Sequence, residues 1–432
     1  MVSIPGLLPG AAHIPCRYRI HEHLCQQTFS KEVQRIVEIF RSFRSRNYVL
    51  FFTGQSLSQI GTWMQRTGVS WVIYTMTHST FMLGLTVFSS QFPSFLLSLS
   101  GGIVSDRYNR YKILLLTQTL AMIQAVTLAV LTLTNHHAVW LILTLSVILG
   151  VINAFDVPAR QPLIHEMIND KADLPNALAL NGVMNNMARL VGPALSGIVL
   201  VQLGTGICFL LNAVSFVAVL ISLLMMKLAP YQPSTVKKSK PGEGFTYLKD
   251  TPAIGLVLLL LALISLMILP YNTLLPVFAK VIFKGNAATF GYINSFIGLG
   301  AVVSSFFLAS QKPGANLKRV LLVNIIIFGI CLMCFSQISN FPVAMFFAVL
   351  SGYGTMSVTT ICNTIVQMDA APGMRGRVIS YFAMCVFGML PLGSLLIGMI
   401  SEHIGAPNTL FFQGMTALII AAFFFKFLKT KT

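Results

Sequence analysis

Gly101-Gly102-Ile103-Val104-Ser105-Asp106-Arg107-Tyr108-Asn109-Arg110-Tyr111-Lys112 crowds one acid and three bases into a short turn between two long apolar stretches. Each flank is long enough to cross a bilayer, so the charge lies where one membrane segment hands over to the next. The composition agrees with that reading. The chain has 432 residues, 55% hydrophobic and only 9% charged, where an average soluble domain has about 25% charged. Its mean hydropathy is +0.77. These values predict an all-α membrane protein. A net charge of +17 raises the question of nucleic acid, but the bases sit in short links between apolar segments, where they set topology. No nucleic-acid partner is expected.

Working outward, twelve apolar segments are predicted as transmembrane helices, at 48–74, 79–104, 112–133, 139–165, 174–203, 206–227, 252–279, 288–310, 318–337, 342–368, 377–402 and 405–428. Of the 29 Lys and Arg, all but Lys280, Lys284, Arg66 and Arg189 fall at one alternating set of links and at the two ends. Bases concentrate on the inner side, so both termini are expected in the cytoplasm. Residues 1–47 form a cytoplasmic N-terminal segment without a signal peptide. Within it Phe29, Val33, Ile36, Val37, Phe40 and Phe43 recur at helical spacing among Lys31, Arg35, Arg41, Arg44 and Arg46. That pattern predicts a basic amphipathic helix on the inner leaflet, with residues 1–28 disordered. The polar, Pro-rich stretch 229–251 is the longest link and divides the chain into six-helix bundles at 48–228 and 252–428. Two echoes support pseudo-symmetric halves: Thr80-Phe81-x-x-Gly84 with Thr289-Phe290-Gly291, and Gly192-Pro193 with Pro391-Leu392-Gly393. Cys331-x-x-Cys334 has no acid or His beside it and reads as packing, so no metal and no cofactor are expected.

The spacing Gly102, Asp106, Arg107, Arg110, Lys112 resembles the loop between helices two and three of the major facilitator superfamily, G-x-x-x-D-R-x-x-R-x-K. Asn109 stands where that pattern has Gly, and Asn is the best non-glycine residue for a positive-φ turn. The resemblance implies the major facilitator fold and a conformational lock. In it Asp106 would meet the N-terminus of helix eleven near Arg375 and Arg377. Arg110 would pair with an acid of helix four, Asp156 in preference to Glu166. Ala179, Ala188, Gly192, Pro193, Ser196 and Gly197 occupy the small-residue positions of G-(x)8-G-(x)3-G-P-x-x-G-G, which the antiporter branch carries on helix five. The groups Gly61-Thr62-Trp63-Met64-Gln65-Arg66, Asp156-Val157-Pro158-Ala159-Arg160-Gln161, Arg189-Leu190-Val191-Gly192-Pro193 and Arg375-Gly376-Arg377-Val378 resemble the bacterial exporter branch that includes enterobactin and macrolide pumps. Asn363 and Gln367 match that branch's N-x-x-x-Q.

Gln55, Gln59 and Arg66 share one face of the first helix, and an unpaired Arg inside a span implies a watery cavity or a partner. In the resembled fold helices one, four, seven and ten line that cavity, so Tyr271, Asn272, Asn363 and Gln367 would face this stripe, with Arg189 on helix five. No Asp or Glu falls at mid-membrane, so two buried cations predict an anionic or zwitterionic ligand. Asp156, the deepest acid, is the candidate proton carrier. No P-loop, metal-ligand spacing or nucleophile constellation appears, so an enzyme is not expected. The expected function is proton-coupled efflux of a small amphiphilic molecule, a siderophore-like metabolite or drug, across a bacterial inner membrane by a monomer. A lysophospholipid transporter and a non-transporting receptor or assembly protein on the same fold are the alternatives.

Overall fold

In lipid each backbone N–H and C=O must be satisfied within its own segment, so long runs of Leu, Ile, Val and Phe can only be helices. The computed structural model describes residues 40–228, 243–311, 316–371 and 373–429, and its regular structure there is helical. The long helices are α1 Arg46–Thr77, α2 Thr80–Arg107, α3 Arg110–Leu133, α4 Val139–Met167, α5 Leu174–Gln202 and α6 Thr205–Met225. After a short helix, Glu243–Asp250, come α7 Pro252–Ile282, α8 Ala287–Ala309, α9 Leu317–Gln337, α10 Phe341–Asp369, α11 Arg375–Ile404 and α12 Ala406–Phe423. Among the described residues ten of these are long and apolar enough to cross a membrane. The two that fall short, α1 and α5, carry Gln55, Gln59, Gln65 and Arg66, and Asn181, Asn185, Asn186 and Arg189. Of these, Gln55 and Gln65 are buried in packing, whereas Arg66 and Asn185 are exposed.

α1 packs on α5 and α6, α2 on α4, and α3 on α4 and α6; α7 to α12 pack among themselves in the same manner. Two further pairs, α2 with α11 and α5 with α8, join the first six helices to the last six. Both junctions are closed by glycine. A Cβ on Gly84 would strike the carbonyl of Ser394, and one on Gly291 would lie 2.5 Å from the carbonyl of Pro193. The echoed residues do equivalent work in the two sets: Gly192 packs α5 onto α1 against Trp63, and Gly393 packs α11 onto α7 against Leu266 and Pro270.

Two local expectations differ from the structure. The 101–112 stretch is not a glycine-type turn, because α2 runs to Arg107 and only Tyr108 and Asn109 link it to α3. Asn109 has φ −62°, and its side chain accepts from the amides of Tyr111 and Lys112. Asn is there as an N-cap, not as a substitute for Gly. The amphipathic N-terminal helix falls mostly outside the described residues, as do residues 1–28. At the described end Arg41–Arg44 is a 3-10 turn docked on the protein: Arg41 pairs with Asp173 at 3.2 Å, and Ser42 donates to Asn176 at 2.6 Å. Cys331 and Cys334, read as packing, are free thiols within α9, one buried and one half-buried.

Candidate functional site

α7 is interrupted at its centre. Leu269–Leu274 is 3-10 and Phe278–Ile282 is π-helical, with Pro270 and Pro276 in the break. Proline removes a helix hydrogen bond, and such breaks recur where a backbone borders a site. The break delivers Tyr271, whose hydroxyl accepts from Thr355 of α10 at 3.4 Å. α1 and α5 bring two cations to one indole. The guanidinium carbon of Arg66 lies 4.8 Å from the ring centre of Trp63, and that of Arg189 lies 5.2 Å away. Arg66 and Arg189 are close enough to repel each other, and Arg189 is within electrostatic reach of Tyr271.

Arg66 is solvent-exposed on α1, and it shares the indole of Trp63 with Arg189 of α5. Among the described residues neither Arg66 nor Arg189 has a carboxylate or hydrogen-bond partner. The guanidiniums therefore do not act as glue for helix backbones. What they can do is bind an anion, since each offers a fork of N–H donors and the indole face offsets part of their charge. The local fold explains the arrangement. Gly192, one turn after Arg189, would place a Cβ 2.5 Å from the Cβ of Trp63, so only its missing side chain lets α5 seat against the indole. On its other side α5 is fixed by Gly298 of α8, where a Cβ would lie 3.0 Å from the carbonyl of Arg189.

The remaining expected ligands are distributed differently. Gln55 is 2% exposed and turned into packing, so it does not continue the Arg66 face. Gln59 is half-buried, Asn272 is exposed, and Gln367 donates to Asn363 at 3.0 Å. The antiporter-pattern residues Ala188, Gly192, Pro193, Ser196 and Gly197 are all buried, and the hydroxyl of Ser196 donates to the carbonyl of Met64 on α1. Sequence reading missed Trp63 and Thr355 as site residues. Trp63 had a usable signal, an aromatic three residues before an Arg on the same helix.

At the other end of α2 the lock differs from expectation at its pivot. Arg110 pairs with Glu166 at 3.0 Å and with Asp106 at 3.7 Å, not with Asp156. Asp156 lies too deep for that partner. It is 1% exposed and accepts from Thr117 at 2.9 Å, from Gln118 at 2.7 Å and from Arg160 one turn on. The carboxylate clips α3 to α4. Arg375 donates to the carbonyl of Ala370, and Arg377 to the sulfur of Met374. A Cβ on Gly102 would meet nothing within 4 Å. Arg107 and Lys112 lie at the surface, beside the link.

Residues 38–432 match the family model described as transmembrane secretion effector. The chain is 25% identical over 379 residues to the staphyloferrin A transporter of Staphylococcus aureus, covering 87% of this chain and 94% of that one. It is 24% identical over 307 residues to the enterobactin exporter of Salmonella choleraesuis, covering 71% and 73%. In fold it resembles a bacterial homologue of the human lysosomal transporter Spinster, with a TM-score of 0.70 at 15% identity over 90% of this chain and 97% of that one. A match over nearly the whole chain, on helices that frame an unpaired arginine pair, makes this multi-span membrane protein a transporter and not an enzyme, and it belongs to the transmembrane secretion effector family of the major facilitator superfamily.

Proposed function

We propose that the protein is a secondary active exporter of a small amphiphilic anion, acting as a monomer in a bacterial inner membrane. All twelve long helices cross the bilayer, as bundles 48–228 and 252–428 joined by 229–251, with both termini cytoplasmic. The glycine-closed junctions of α2 with α11 and α5 with α8 are the surfaces on which the bundles rock, giving access to each side in turn. The observation that carries the reading is the pair Arg66 and Arg189, one exposed and one half-buried on a shared indole, with no acid partner among the described residues. A lipophilic cation would need negative charge there; an anion finds its counter-charge in place. Relatives named for siderophore transport and export support a siderophore-like metabolite as cargo.

Asp106, Arg110 and Glu166 form the lock at the cytoplasmic end of α2, with Arg375 and Arg377 at the start of α11. Proton coupling completes the reading, with Asp156 the deepest acid; its contacts with Thr117, Gln118 and Arg160 would have to open for it to exchange a proton. The test is metabolite profiling of a deletion strain and its complemented parent. One anionic metabolite should accumulate inside the deletion strain and return to the medium on add-back. A cationic drug or a lysophospholipid as the sole difference would replace this reading with another.

A further inference from the structure

We infer that the cargo site is a two-point anion clamp, built for a molecule bearing two carboxylates and not one. The inference rests on the anion-export reading and narrows it. Arg66 and Arg189 reach the same indole from different helices, and their distances to it cap the separation of the two guanidinium carbons at about 10 Å. Two like charges held that close without an acid repel each other. A single carboxylate quenches one of them and leaves the other unpaired, whereas two carboxylates on one flexible frame quench both. Trp63 is the positioning residue: both guanidiniums lie against its ring, at 4.8 and 5.2 Å from the centre. Tyr271, buried and joined to Thr355, adds only a neutral group within electrostatic reach of Arg189, so the charge selection comes from the arginines.

The test is binding to the purified full chain, comparing adipate, pimelate and suberate with butyrate and hexanoate. A second charge-assisted contact is worth about tenfold in affinity. At least one dicarboxylate should bind about tenfold tighter than the monocarboxylates, and R66Q or R189Q should bring it to within about twofold of them. Equal affinity for the two series overturns the clamp while leaving anion export standing, and so does a dicarboxylate advantage that survives both substitutions. Binding of tetraphenylphosphonium with neither series bound overturns the clamp and the anion reading together. If the Gln variants fail to fold, the wild-type ratio decides alone.

A separate observation carries a second inference. Glu402, near the end of α11, reaches the start of α2, where one carboxylate oxygen accepts from the hydroxyl of Ser79 at 3.0 Å, the amide and hydroxyl of Thr80 at 2.7 and 2.9 Å, and the amide of Phe81 at 3.1 Å. A helix N-terminus has unpaired N–H groups that an acid of its own first turn can satisfy. α2 has no acid there, and the acid comes from α11. The hydroxyl of Thr80 is equally close, at 2.9 Å, to the carbonyl of Gly398, so its one proton serves either acceptor on α11 across the same crossing. We propose that Glu402 is a latch that holds the α2–α11 junction shut at the end opposite Arg107 and Arg375.

Spin labels at H136C and S339C, in a variant stripped of its seven cysteines, report the gap between the two sets of helices at that end. E402Q keeps the size and loses the charge, and should raise the ratio of wide to narrow species at least about fivefold, with E402D in between. A distance distribution unchanged in E402Q and in E402A overturns the latch. Should E402A not fold, E402Q decides.

Discussion

Asp156 shows how far a single residue can be read from sequence. Its depth in an apolar segment marked it as functional, and burial is what the structure has, but burial alone does not choose a partner. The partner is set by helical geometry: Arg160 is four residues on and on the same face, whereas Arg110 stands at the membrane edge beside Glu166. The same logic sets the cost of removal. D156N leaves Arg160 without its counter-charge, and breaking a buried pair costs about 3–5 kcal/mol, at the low end here because the Arg160 side chain is 19% exposed. The variant should unfold at a clearly lower temperature in detergent. If Asp156 also carries the proton, D156N export will lose its pH dependence; export that keeps the parent's pH profile removes that role. E166Q should act differently, since its carboxylate is 36% exposed. Its effect on melting is expected within about 1 kcal/mol, and a larger loss would show that the Arg110 contact is structural.

Helices were legible because their signal is summed over many residues. The predicted segments match the helices to within a few residues, since chain polarity changes abruptly at each link. Breaks inside helices were not legible as such: Pro270 and Pro276 mark the place, but the 3-10 stretch packs on α11 and the π stretch on α8, contacts that no local pattern gives. Trans contacts were invisible for a simpler reason. Glu402 and Thr80 are more than 300 residues apart, and no local pattern links them. Element-level packing also makes the clearest stability prediction. G192L drives a side chain into Trp63 and the backbone of Ile60, and overpacking costs about 1–3 kcal/mol. It should lower the melting temperature and, by shifting α5, weaken cargo binding more than G182L does, because a Cβ on Gly182 meets nothing within 4 Å. Equal binding losses from the two substitutions would separate Gly192 from the site.

For the whole molecule, membership in the superfamily and the fold were readable from charge spacing and segment count, while the cargo was not. Spacing reports where a helix begins; it does not report which side chains meet across a cavity. Sidedness remains a prediction of the basic links: a thiol at Lys284 should react with impermeant reagent added outside intact cells, and one at Lys112 should not. The reverse pattern would invert the direction of transport in the account. The most direct measurement, however, is export itself by R66A and R189A variants, with membrane levels matched to the parent. The account predicts that each loses export of the accumulated anion at least about tenfold, because a desolvated charge then finds no partner. Parent-level export by both variants would contradict it.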